Sequence, residues 1–149
     1  MCSKDCKKLG MAAVAAIILF AAMEYVFHEI LLKGIYLRPY YQHLWNTAAV
    51  IKCRMPVLLL GYIGLLGTMF AKIYSCGYEP GKPVLGQGLR YGLWMGLLCV
   101  SCSGFLCYSI LPVSWKLAGA WALGGMVECL IAGMAVAFIY RPRMGNPKT

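Results

Sequence analysis

Glu24 and His28 stand four residues apart inside a largely apolar run, Met11 to Leu32, and so share one face of a helix. That spacing lets a carboxylate orient or charge an imidazole, the pairing from which proton carriers and pH-sensitive sites are built. A third ionisable group, Glu128, lies almost midway along the last apolar run, with Gly124 and Ala132 on its own helical face. Counted in from opposite ends of antiparallel helices, Glu24 and Glu128 reach a similar depth. Two carboxyls and an imidazole are therefore expected to converge on a site that binds or relays a small cation, a proton or a metal ion. Closely placed carboxyls share protons, and ionisable groups in lipid face inward, pair or stay neutral. The plainer alternative is a self-satisfied Glu24–His28 pair and a protonated Glu128 bonded to a neighbouring carbonyl. Glu29, four residues before Lys33 near the end of the same run, reads as one half of a structural ion pair.

Sulfur offers a second chemistry. Cys99-Val100-Ser101-Cys102 puts two thiols within one helical turn, with Met95 and Met126 as soft neighbours, a set suited to a thiophilic metal ion such as copper(I). Cys2 and Cys6 at the lysine-rich start can serve as a capture site for the same ion. The competing reading is that thiols inside apolar runs are small packing residues. No phosphate-binding loop, metalloprotease helix or Ser-His-Asp arrangement is present, so an enzyme is not the expected class.

The elements that must position these groups are apolar helices. The chain has 149 residues, of which 61% are hydrophobic and 13% charged, against roughly 45–50% and 25% in soluble domains. Four runs, at about 11–32, 55–74, 90–111 and 116–140, are each long enough to cross a bilayer. The expected fold is all-α: a single domain forming a bundle of four transmembrane helices. Between the first two runs, Tyr36, Tyr40, Tyr41 and Trp45 form an aromatic-rich segment expected to lie at the membrane interface, with Tyr41, Leu44, Trp45 and Ala48 at helical spacing. Between the second and third, Ser75 to Leu89 carries enough Gly and Pro to be read as loop throughout. Pro112-Val113-Ser114 makes the last connection so short that the helices it joins must be antiparallel neighbours.

Three ridges of small residues are expected to pack these helices: Gly61, Gly64 and Gly67; Gly88, Gly92 and Gly96; and Gly125, Cys129, Gly133 and Ala137. The same ridges can serve the bundle itself, a second copy of the chain, or a larger membrane complex. The net charge of +9 does not point to nucleic acid, because the basic residues lie between apolar runs, where they encode topology. Lys4, Lys7, Lys8, Lys72, Lys82, Arg90, Arg141, Arg143 and Lys148 fall on one side, against Lys33, Arg38, Lys52, Arg54 and Lys116 on the other. This bias places both termini in the cytoplasm of a protein of the inner (plasma) membrane. The two readings carried forward are a cation or proton site, as in a transporter, and an accessory or assembly subunit without chemistry of its own.

Overall fold

The computed structural model describes residues 2–42 and 53–141, and every regular element among them is helical. Four helices are long and apolar enough to cross a membrane: α1 (Cys6–Leu31), α4 (Cys53–Cys76), α5 (Val84–Ile110) and α6 (Trp115–Ile139). Their 26, 24, 27 and 25 residues all exceed the roughly 20 that a hydrocarbon core needs. Two single turns, α2 (Lys33–Tyr36) and α3 (Pro39–Gln42), follow α1. The rest of the aromatic segment, including Leu44, Trp45 and Ala48, lies outside the described residues.

α5 begins at Val84, earlier than the run of Gly and Pro suggests. Pro83 supplies the entry, at φ −56° and ψ 125°. Gln87 in the first turn then serves the backbone of the preceding loop. Its Oε1 accepts from the Glu79 N–H at 2.8 Å, and its Nε2 donates to the carbonyls of Glu79 and Lys82 at 3.0 and 3.1 Å. A helix that satisfies its own loop can start inside it, and Gly81, at φ 85°, makes the one turn that requires a glycine. Glu79 also pairs with Lys82 and Arg90, which together hold its exposed carboxyl below the ordinary range. At the other connection Leu111 turns to an extended backbone before Pro112, and Ser114 caps α6 by accepting the Leu117 N–H at 3.3 Å.

α1 runs antiparallel to α4 and to α6, and α5 antiparallel to α6. On α1 and α4, Phe20 meets Phe70 edge to face at 5.2 Å, Ile17 abuts Gly67, and Glu24 reaches Tyr62. On α5 and α6, Gly88, Gly92, Gly96 and Gly104 meet Ala137, Leu130, Met126 and Ala122 in reverse order. Lys8 donates to the Arg141 carbonyl and Phe27 lies over Gly124, which orients α1 against α6. Cys6, Arg141 and the loop around Gly81 therefore gather at one end, the terminal end, while α2, α3 and Pro112–Ser114 occupy the far end.

The small-residue ridges are unequal. A Cβ on Gly92 would sit 2.5 Å from the Cys129 carbonyl oxygen, and one on Gly133 would sit 2.6 Å from the Gly88 carbonyl oxygen, so α5 and α6 touch backbone to backbone. Gly96 faces the Met126 side chain, whereas Gly125 has nothing nearer than the Cys99 Cβ at 3.4 Å. In α4, Gly67 is pressed against Ile17, while Gly61 meets only Val57 of its own helix.

Outward, large apolar side chains such as Val57, Leu60, Phe105, Trp115 and Leu123 stand largely uncovered. So much exposed apolar surface is unfavourable in water and ordinary in lipid. The far portions of three long helices each carry a π-helical stretch, at Tyr25–Leu31, Val57–Gly64 and Val100–Leu106; α6 is α-helical throughout. The π register is rare and recurs at functional sites. Serine hydroxyls beside it take up backbone carbonyls, Ser101 on Leu98 and Ser103 on Cys99, both at 2.7 Å.

Candidate functional site

The four-residue spacing on α1 brings Glu24 Oε2 to 3.1 Å from His28 Nε2. From α4, the Tyr62 hydroxyl donates to the other carboxylate oxygen, Oε1, at 3.2 Å. On the far side of the ring, the Tyr36 hydroxyl on α2 lies 2.6 Å from His28 Nδ1, and the Trp121 indole N–H on α6 donates to that hydroxyl at 2.8 Å. Tyr62, Glu24, His28, Tyr36 and Trp121 thus form one hydrogen-bonded chain that ties α4, α1, α2 and α6 together at the far end.

Its polarity follows from donor chemistry. An indole N–H can only donate, so the Tyr36 oxygen accepts from Trp121, which leaves its own O–H as a donor for His28 Nδ1. With Nδ1 accepting, the imidazole carries a hydrogen on Nε2 and donates it to Glu24. Glu24 receives bonds from both sides, from His28 and from Tyr62. Burial raises the Tyr36 hydroxyl to about 12, partly countered by the Trp121 bond, so it stays protonated and serves as a fixed donor. The chain is closed at Trp121, since an indole nitrogen does not accept a proton. It is reachable at its centre, where the His28 and Glu24 side chains are 38% and 24% exposed.

Glu128 has a different setting. It is 8% exposed, and its carboxyl takes no hydrogen bond from the described residues. Ionisable neighbours act on it through their fields: Glu24 and His28 from α1, and Cys99 from α5. Of the three site residues expected from sequence, Glu24 is bonded to His28, while Glu128 makes no hydrogen bond to either. Among the described residues, no group of three or more His, Cys, Asp or Glu side chains is disposed to hold a metal ion. Glu29 and Lys33 form their pair at 3.8 Å, both exposed.

Tyr62, Tyr36 and Trp121 are the members that reading the sequence for ionisable groups overlooks. Trp121 was open to discovery, two helical turns before Glu128 on one face. Tyr36 reads from sequence as a headgroup anchor, and in the structure its hydroxyl lies against His28. Tyr41 behaves alike: it is buried and donates to Ser114 Oγ at 2.9 Å, sealing the last connection.

The thiols divide across helices. Cys99 Sγ lies 3.6 Å from Cys129 Sγ on α6, whereas Cys102 is exposed beside the Ser101 hydroxyl at 3.8 Å. Cys6 is exposed, and the side chain of Cys2 is outside the described residues. No family model, curated protein or solved structure matches this chain.

Proposed function

We propose that the chain is an integral membrane protein whose far-end site, Glu24 and His28 with Glu128 beside them, binds and relays protons. The observation that carries this reading is the chain from Tyr62 to Trp121, which holds an imidazole against a carboxylate within a bundle coated in apolar side chains. A carboxylate bonded to an imidazole can take up a proton that the ring then shares, and Glu128 is near enough for its charge to be felt. A proton is favoured over a metal ion because a metal ion needs several converging donors, and the described residues offer no such set. The accessory-subunit reading loses ground because Gly88, Gly92 and Gly133, the ridge best suited to a partner, are consumed between α5 and α6.

Proton flux in vesicles tests it. Purified protein reconstituted with an internal pH dye, under a potential set by potassium and valinomycin, is expected to acidify the lumen faster than empty vesicles. Glu24→Gln and Glu128→Gln should each remove the excess flux while the protein still folds, and the double variant should be no worse than either single one, as for residues acting as a unit. Flux in the double variant equal to wild type overturns the reading. Orientation is proposed from nine basic residues on the terminal side against five on the other. Reporters after Thr149 and within Ser75 to Leu89 should both be cytoplasmic and one near Gln42 external; the reverse pattern inverts the protein.

A further inference from the structure

Between α1 and α6, beside the site just described, lies a cleft of about 420 Å³, within the roughly 300–1,000 Å³ of small-molecule sites. Val26, Phe27, Leu31, Leu123 and Val127 line it with apolar surface, and Glu128 is its one ionisable lining residue. Val26, Leu31, Leu123 and Val127 are themselves exposed on the outside of the bundle, so the cleft opens sideways. Gly124 makes room for the Phe27 ring, which lies where a Cβ would otherwise be, its nearest atom 2.5 Å from that position. Glu128, 8% exposed as a residue and with no hydrogen bond to its carboxyl from the described residues, thus stands in an apolar, laterally open cavity.

An ionised carboxyl there is costly unless a positive charge accompanies it. A small metal ion would exchange its hydration shell for a single carboxyl, a poor return for a cation that takes six or more oxygens. A cation wrapped in hydrocarbon has little hydration to lose, fills the apolar volume, and meets both the carboxylate and the face of an aromatic ring. We infer that the cleft is a binding site for hydrophobic organic cations, alkyl- or arylammonium in class, with the charged nitrogen against Glu128 and the apolar groups against Phe27, Leu123 and Val127.

The inference rests on the proton reading in one respect: the cation enters as the Glu128 proton leaves, one charge for one, so the charge of the site is unchanged. The groups that face this exchange are Glu24 and His28 from α1, Tyr62 from α4, Cys99 from α5, and Cys129 on α6 itself. Raising pH should therefore tighten binding.

Equilibrium binding of tritiated tetrabutylammonium to the full chain in lipid nanodiscs tests the site without any flux measurement. Saturable binding at one cation per chain is expected, weakened about tenfold or more by Glu128→Gln, a loss of about 1.4 kcal/mol or more. Val127→Trp, which fills the cleft and leaves the carboxyl in place, should block it as well, and a neutral monoacylglycerol should compete poorly. Binding that is absent, that survives Glu128→Gln unchanged, or that the neutral lipid displaces equally overturns the proposal; the last outcome makes the cleft an acyl-chain groove. A pH dye in weak buffer reads the exchange separately. Proton release on binding supports the coupled form, while binding without release keeps the cation site and removes Glu128 from the relay. Flux without cation binding does the reverse.

Discussion

The two ends of the bundle are built on opposite terms. At the terminal end α5 and α6 meet through glycine backbones, and Phe20, Phe70, Tyr91 and Tyr74 interlock, with the Tyr91 hydroxyl donating to the Phe70 carbonyl at 2.5 Å. At the far end three helices adopt the π register, a cleft opens between α1 and α6, and polar side chains replace close packing as the tie between helices. Close van der Waals approach through small residues is a strong tie between apolar helices, and it is concentrated at the terminal end. The far end, released from that task, can house ionisable groups. The contrast teaches that close packing and polar ties are separated along the helix axes, with α6 as the one long helix α-helical through both.

The sharpest way to break the contrast is to disturb the glycine seam. Gly92→Ala pushes a methyl group into the Cys129 carbonyl, which the backbone cannot easily evade, and overpacking of this kind costs about 1–3 kcal/mol; Gly92→Leu should prevent the bundle from forming. Gly125→Ala, whose methyl group would meet the Cys99 Cβ at 3.4 Å, about ordinary contact, should be close to neutral. Thermal unfolding followed by circular dichroism in detergent compares the pair, and equal losses would mean that the seam does not carry the stability.

Tyr36→Phe sharpens the other side. It removes the one hydroxyl shared by Trp121 and His28, leaving a donor and an acceptor to find new partners, at about 1–3 kcal/mol for groups that stay buried. The decisive measurement is nitrogen NMR of His28, whose Nε2–H form should dominate in wild type and lose that dominance in the variant. An unchanged tautomer would dismiss Tyr36 as the residue that sets it.

The smallest effect belongs to the exposed loop at the terminal end. Lys82 and Arg90 depress the Glu79 carboxyl below its ordinary 4.5. The stabilisation is therefore present at neutral pH and lost as pH falls through that lowered value. Glu79→Gln should reproduce the acid state at pH 7, seen as faster amide exchange from Gly77 to Lys82 with little change in melting temperature, because exposed ion pairs contribute little. A large drop in melting temperature would show that the loop, and not the glycine seam, closes that end.

Much of this molecule was legible in one dimension. Four helices of membrane-spanning length, the Glu24–His28 and Glu29–Lys33 pairs and the antiparallel turn at Pro112 follow from hydropathy, helical period and loop length, all local properties of a chain. What only the tertiary structure decided is how each helix is rotated about its axis and how deep it sits. Those two variables bring Tyr62, Tyr36 and Trp121 to the Glu24–His28 pair, set Cys99 against Cys129, and leave Glu128 in a cleft with no bond from the described residues. They also spend Gly92 and Gly133 in the seam while leaving Gly125 loose. Rotation and depth are fixed by side chains from distant parts of the sequence closing on one another, so no spacing within a single helix encodes them.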